Sequence, residues 1–139
     1  MKRDWDLLRK ILVDIEEERD LFAYLPGEPQ LDDFESVDAY SCEYESWCLT
    51  QEHFFGHLEL LLESDFVDGI QIIRGSDGYI SYGTSPKVRL TMAGHDLLDT
   101  IRSATLWENI KTTAKKKGVE LSFDAIKVLG ATALKHLLG

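Results

Sequence analysis

The chain has 139 residues, 44% of them hydrophobic and 29% charged, which fits one folded domain and excludes a disordered chain. Its net charge is −10, and residues 14 to 65 hold 16 acidic residues and one basic residue, a distribution that repels phosphate and attracts basic partners. The charged N-terminus does not read as a secretory signal, and the longest uncharged stretch, residues 78–86, cannot span a bilayer, so we expect a cytoplasmic protein.

The first predicted element is an amphipathic helix. Asp4 is a suitable N-cap, and apolar residues follow at helical spacing: Trp5, Leu8, Leu12 and Ile15, widened by Leu7 and Ile11. Residues 25–38 contain two of the three prolines and are interpreted as a loop. The apolar spacing of residues 40–47 does not decide between a helix and a strand.

A second helix is predicted over residues 51–63, with Thr50 as its cap. One side gathers the residues expected in the core, namely Phe54, Phe55, Leu58, Leu61 and Leu62. The other side carries Glu52, Gly56, Glu59 and Glu63, with His53 and His57 on one flank.

The next residues predict short strands over 67–75 and 79–83 that form a hairpin, and residues 87–90 give an optional third segment. Thr91 is the predicted cap of a helix bearing Leu97, Leu98 and Ile101. Another helix is predicted from Ala104 to Lys117, ended by Gly118. Ser122 opens a last helix lined by Ile126, Leu129, Ala133 and Leu137.

This order of elements predicts an α+β fold, mostly α. It is that of a winged-helix domain with a β-hairpin wing and a C-terminal helical extension. We expect one domain over residues 1–139, with its core in 1–103 and the additional helices in 104–139. The run HLELLLESDFVDGIQI followed by KVRLTMAGHDLLD resembles the third helix, wing and fourth helix of MarR-like winged-helix proteins.

The chain also resembles the family called domain of unknown function 2513, found in phages, prophages and bacterial genomes. The resemblance rests on MKRDWDLLRKIL, HLELLL, RLTMAGHDLLDTIR with Leu106 and Trp107, and the final KHLLG. It implies no biochemical role. Residues 26–50 match it poorly, and Ser64 and Asp65 stand where similar proteins turn with glycine.

The residues favour a protein without enzymatic activity. A zinc protease needs a glutamate directly after its first histidine, whereas Phe54 follows His53. The gaps from Cys42 and Cys48 to the histidines match no common zinc pattern. The His95–Asp96 pair has no further ligands indicated, and no nucleophile motif occurs. We therefore predict no catalytic residue, metal or cofactor, with His57 packed at the helix edge and His53 exposed.

Two interaction surfaces remain. The first is acidic and would bind a protein partner through Glu52, Glu59, Glu63 and His53. The alternative is a DNA-binding transcriptional regulator that contacts phosphates through Arg74, Lys87, Arg89, Lys115, Lys116 and Lys117. The acidic helix disfavours DNA, so we expect a protein partner. In a phage setting, the acidic segment would imitate the charge of a nucleic acid and occupy a basic cleft on a host or defence protein. The terminal helices could pair across a two-fold axis in a homodimer or pack within one chain.

Overall fold

The computed structural model describes residues 1–138. They form an α+β fold that is mostly helical, with one antiparallel hairpin, which confirms the predicted fold class. In chain order the elements are α1 (Trp5–Glu16), a short 3-10 turn (Leu31–Asp33), α2 (Val37–Glu63), β1 (Val67–Arg74), β2 (Ile80–Leu90), α3 (Met92–Ile101), α4 (Ala104–Lys117) and α5 (Phe123–Leu138).

Helix α1 begins where the sequence predicts. The Asp4 side chain caps it by accepting a 3.0 Å hydrogen bond from the Leu7 N–H. Its apolar stripe is buried apart from Trp5, which is half-buried, and the helix packs against α2, β2 and α3. The chain therefore builds its core around its first helix.

Helix α2 is longer than predicted, and Thr50 is not its cap. The cap is Ser36, whose Oγ accepts from the Ala39 N–H at 3.1 Å. The Thr50 hydroxyl instead donates to the Ser46 carbonyl within the same helix, at 3.1 Å. No glycine or proline lies between residues 37 and 55, so nothing interrupts the helix. Residues 40–47, left undecided by their spacing, are therefore helical.

Only the second half of α2 enters the core. Phe54, Phe55, Leu58 and Leu61 are buried as predicted, and Leu62 is half-buried. None of residues 37–53 is buried. Residues 37–50 thus form a helical projection beside the core, which we call the arm.

The hairpin pairs Val67 with Leu90 at its base and Arg74 with Ile80 near its tip. The register shifts between Asp68 and Ile70, so that residues of β2 around Pro86 bulge past Gly69. Because a proline cannot donate to the ladder, this irregular part is where it is tolerated. The optional third segment is the end of β2, which runs without interruption from Ile80 to Leu90.

The turn from α2 into β1 uses Asp65, whose φ of 62° lies in the left-handed region. Glycine favours this conformation, and aspartate is among the few other residues that tolerate it. The Thr91 hydroxyl donates to the Asp65 carbonyl at 2.5 Å and accepts from the Gly94 N–H at 3.0 Å. The turn is therefore tied to the start of α3.

The C-terminal helices follow the sequence closely. Thr91 caps α3, Gly118 ends α4 with a φ of 68°, and Ser122 accepts from the Ala125 N–H at 3.0 Å at the start of α5. Helix α5 packs against α3 and α4 within the chain. Ile126 and Ala133 are buried and Leu129 is half-buried, whereas the side chain of Leu137 lies outside the described part of the structure.

The helix, hairpin, helix order on which the winged-helix prediction rests is present as α2, β1, β2 and α3. The prediction of a separate helix that begins after Thr50 is wrong, because residues 51–63 continue a helix of 27 residues. The winged-helix assignment stays a prediction.

Replacing Gly94 by alanine should destabilise the fold. A Cβ at Gly94 would lie 2.0 Å from the Phe66 carbonyl oxygen, so α3 would have to move off the α2–β1 turn. We expect a loss of about 1–3 kcal/mol in the free energy of unfolding, measured by urea denaturation. Gly83→Ala is the control, because its Cβ would meet nothing within 4 Å. Equal urea midpoints for the two variants would contradict this packing.

Candidate functional site

The predicted acidic site and part of the predicted DNA-binding site are in contact. The guanidinium of Arg74, at the end of β1, donates to Glu52 Oε2 at 2.7 Å and to Glu59 Oε1 at 3.1 Å. These hydrogen bonds, first to Glu59 and then to Glu52, raise the pKa of Arg74 further above its ordinary value. One hairpin cation thus neutralises part of the acidic side of α2.

The other two hairpin cations are also paired within the chain. Lys87 Nζ lies 2.6 Å from Glu18 Oε1, and Arg89 Nη2 lies 2.7 Å from Asp68 Oδ2. Hydrogen bonding to Lys87 lowers the pKa of Glu18. Both pairs are exposed, so each adds little to stability. Their effect is to place a carboxylate beside each cation that the DNA-binding alternative requires.

Two predicted groups stand apart from these pairs. Glu63 is exposed near the end of α2 and makes no ion pair among residues 1–138. Lys115, Lys116 and Lys117 are exposed in the last turn of α4, and within the described residues they too make no ion pair. Helix α4, which carries these lysines, packs mainly against α3 and α5, whereas the hairpin packs mainly against α1, α2 and α3.

The two histidines of α2 have different environments. His57 is fully buried, and its Nε2 accepts a 2.7 Å hydrogen bond from the backbone N–H of Asp4. Its Nδ1 lies 2.6 Å from the carbonyl oxygen of His53 and donates to it. His53 is half-exposed, with Nε2 3.3 Å from Asp4 Oδ2. His57 therefore joins α2 to the start of α1, and His53 faces Asp4 as well as solvent.

This arrangement requires neutral His57. One ring nitrogen donates and the other accepts, so a second proton would set an N–H against the Asp4 N–H. Burial is the main cause that lowers the pKa of His57 below 6.5, and the charges of His53 and the N-terminal ammonium act in the same direction. The hydrogen bond to the His53 carbonyl and the charge of Asp4 oppose the shift.

The candidate metal ligands are not brought together. Cys42 and Cys48 are exposed on the arm, away from the buried ring of His57. Across residues 1–138 no group of three or more histidine, cysteine, aspartate or glutamate side chains is arranged to hold a metal ion. His95 is exposed and lines an open groove of about 550 Å³ beside Lys87 and Arg89.

The arm is the surface that the sequence did not predict. Aromatic rings follow one another along its inner side: Phe34 and Tyr40 are 5.9 Å apart, Tyr40 and Tyr44 5.7 Å, and Tyr44 and Trp47 5.5 Å between centroids. Trp47 Nε1 donates to the Pro26 carbonyl at 3.1 Å. This aromatic row holds the arm against the preceding loop.

The hairpin tip also supports the arm. The hydroxyl of Tyr44 donates to that of Tyr79 at 2.9 Å, and Tyr79 donates to Glu28 Oε1 at 3.0 Å. Ser36 followed by an uninterrupted helical run was the signal for this element, and the ring spacing of Tyr40, Tyr44 and Trp47 was a second one.

The arm and its preceding loop are strongly acidic. Residues 26–50 contain seven carboxylates and no lysine, arginine or histidine. All seven are exposed, and none makes an ion pair within the described residues: Glu28, Asp32, Asp33, Glu35, Asp38, Glu43 and Glu45. Of these carboxylates without a cationic partner, four lie on the loop before the arm and three on the arm, all N-terminal to the predicted acidic site.

These features define a helical protein with a hairpin beside a long acidic helix. The chain belongs to the family described as Hypothetical protein (DUF2513), which it matches over residues 2–120. It is 32% identical over 140 residues to a Haemophilus influenzae protein described as "Uncharacterized protein", covering 99% of each chain. No solved structure matches the chain. Within residues 1–138, no helix is both long enough and apolar enough to cross a bilayer.

Acid should weaken the fold through His57. The folded state holds this ring neutral with a lowered pKa, while the unfolded chain takes up a proton near 6.5. The contribution is fully present above pH 6.5 and is lost as the pH falls below that value. We expect urea midpoints to fall from pH 7.5 to pH 5.5, and His57→Gln to reduce that fall. The exposed His95→Gln is the control. An unchanged pH dependence in His57→Gln would contradict the assignment.

Proposed function

We propose that this chain is a non-enzymatic, acidic interaction module whose partner is a basic protein. The winged-helix character, the setting in phages and prophages and the cytoplasmic location come from the sequence and form part of this proposal. Glu52, Glu59, Glu63 and His53 contribute to the surface, which the arm extends.

One observation carries the proposal. Seven exposed carboxylates on residues 26–50 have no cationic partner within the described part of the chain, whereas each hairpin cation is held by a carboxylate. A surface of this sign raises the rate and specificity of association with a positively charged protein. It opposes the approach of a nucleic acid at the same place.

The paired state of the hairpin weakens the DNA alternative. Phosphate contacts by lysine and arginine supply most non-specific affinity for DNA. Arg74 would have to leave Glu52 and Glu59, and Lys87 would have to leave Glu18, before either could meet a phosphate. One observation still favours this alternative: the side chains of Lys115, Lys116 and Lys117 are all exposed.

Duplex DNA should distinguish the two functions. We expect no binding by fluorescence anisotropy at 0.15 M salt, where the Debye length is about 8 Å. We expect the same result for the variant with Lys115, Lys116 and Lys117 changed to glutamate. Specific DNA affinity with a steep salt dependence, abolished in the triple variant, would establish the regulator in place of the interaction module.

The protein partner itself can be sought by co-purification of tagged chain from its native host, with and without nuclease. We expect a basic protein to remain bound after nuclease treatment and to be released by high salt, because exposed ion pairs are screened. Retention that disappears with nuclease would instead indicate a nucleic acid between the two proteins.

A further inference from the structure

The outer side of α2 carries a regular row of side chains that begins on the arm and ends just beyond it. Asp38, Cys42, Glu45, Leu49 and Glu52 follow one another at alternating steps of four and three residues. Such spacing keeps side chains on one side of a helix, with a drift of about 20° per seven residues. At about 1.5 Å per residue the row is about 21 Å long. We call these five residues the outer row.

The outer row is uncovered from Asp38 to Leu49, whereas Glu52 at its end is held by Arg74 of the hairpin. All five residues are exposed, and Leu49 retains 68% of its accessible surface. The aromatic row of the arm points to the loop and the hairpin tip, so it occupies the other side of the helix. Beyond Glu52, the Met1 side chain lies over Gly56 and closes the surface.

The row alternates charge with less polar groups. Asp38, Glu45 and Glu52 are seven residues apart, and Cys42 and Leu49 lie between them. Glu52 is paired with Arg74, while Asp38 and Glu45 make no ion pair within residues 1–138. Exposed ion pairs alone give weak binding. The exposed leucine supplies the apolar contact that such a surface needs between its charges.

The spacing selects the shape of the occupant. A partner helix that presents lysine or arginine every seventh residue would place its cations at the repeat of the carboxylates, with an apolar side chain against Leu49. An extended strand advances about 3.3 Å per residue, so cations at every seventh residue of a strand would lie too far apart to match the carboxylates of α2. The arm is already helical and braced, so little ordering is required of it.

We propose that the outer row is the docking surface for a basic amphipathic helix of a partner protein. This inference rests on the proposed function and adds to it the place and the shape of the contact. The charge of the partner segment is opposite to that of the arm, and its cations repeat every seventh residue.

The test uses the full chain and a synthetic 21-residue helical peptide. The peptide has lysine at every seventh position, one leucine between successive lysines on the same side, and uncharged polar residues elsewhere. A second peptide has the same composition, with the lysines distributed around the helix. We expect the first peptide to bind more tightly by fluorescence anisotropy. Asp38→Asn with Glu45→Gln should weaken it about fivefold or more, and Leu49→Ser should weaken it separately. Circular dichroism of each variant confirms that the arm stays helical.

The matched control is Asp99→Asn with Glu120→Gln, which makes the same change in net charge at exposed positions on α3 and after α4. Equal affinity of the two double variants, or no preference between the peptides, would overturn the docking surface. A basic host protein retained equally by wild type and by the arm variant would also overturn it, and the proposed function would stand. If the wild-type chain retained no protein partner, both the docking surface and the proposed function would be refuted.

Discussion

The structure depends on the burial of one side of α1. Leu8, Ile11 and Leu12 are 2%, 1% and 0% exposed, and α1 packs against α2, β2 and α3. Each such aliphatic side chain contributes about 1.5–3 kcal/mol when fully buried. The polar side of α1 extends its contacts, since Arg9 Nε donates to the Ile101 carbonyl at 2.8 Å and Asp6 accepts from Trp107 Nε1 at 2.8 Å. The first helix thereby positions the second half of α2, the hairpin and the C-terminal helices.

Electrostatics then determine which surfaces are open. Arg74, Lys87 and Arg89 each lie beside a carboxylate of the same chain, so the hairpin is close to neutral at short range. The predicted acidic site is partly neutralised by the same contact, because Arg74 bridges Glu52 and Glu59. The carboxylates without a cationic partner lie on the arm and on the loop before it, because residues 26–50 contain no lysine, arginine or histidine.

The sequence predicted those elements whose boundaries are marked by local chemistry. Asp4, Thr91 and Ser122 are caps with a hydroxyl or carboxylate at the right place, and Gly118 supplies the left-handed end of α4. Thr50 has the same side-chain type, but its hydroxyl bonds a carbonyl inside the helix. A cap requires an extended backbone, which side-chain type alone does not indicate.

Most of the candidate site could not be predicted, because it depends on contacts between distant residues. The bridge from Arg74 to α2 and the bond from Asp4 to His57 join residues 15 or more positions apart. The ring spacing of the arm did not reveal what the arm packs against, since its rings contact a loop and a hairpin tip rather than the core. The seven-residue repeat of its acids becomes visible only when the helix is known to be continuous.

The length of α2 has a consequence for how the protein can change over generations. One side of its second half is buried among neighbouring elements, whereas the outward residues of its first half are exposed to solvent. Substitutions there that preserve the helix would change the exposed surface without disturbing the buried core. Related chains can thus differ in the partners that they bind while keeping the same fold.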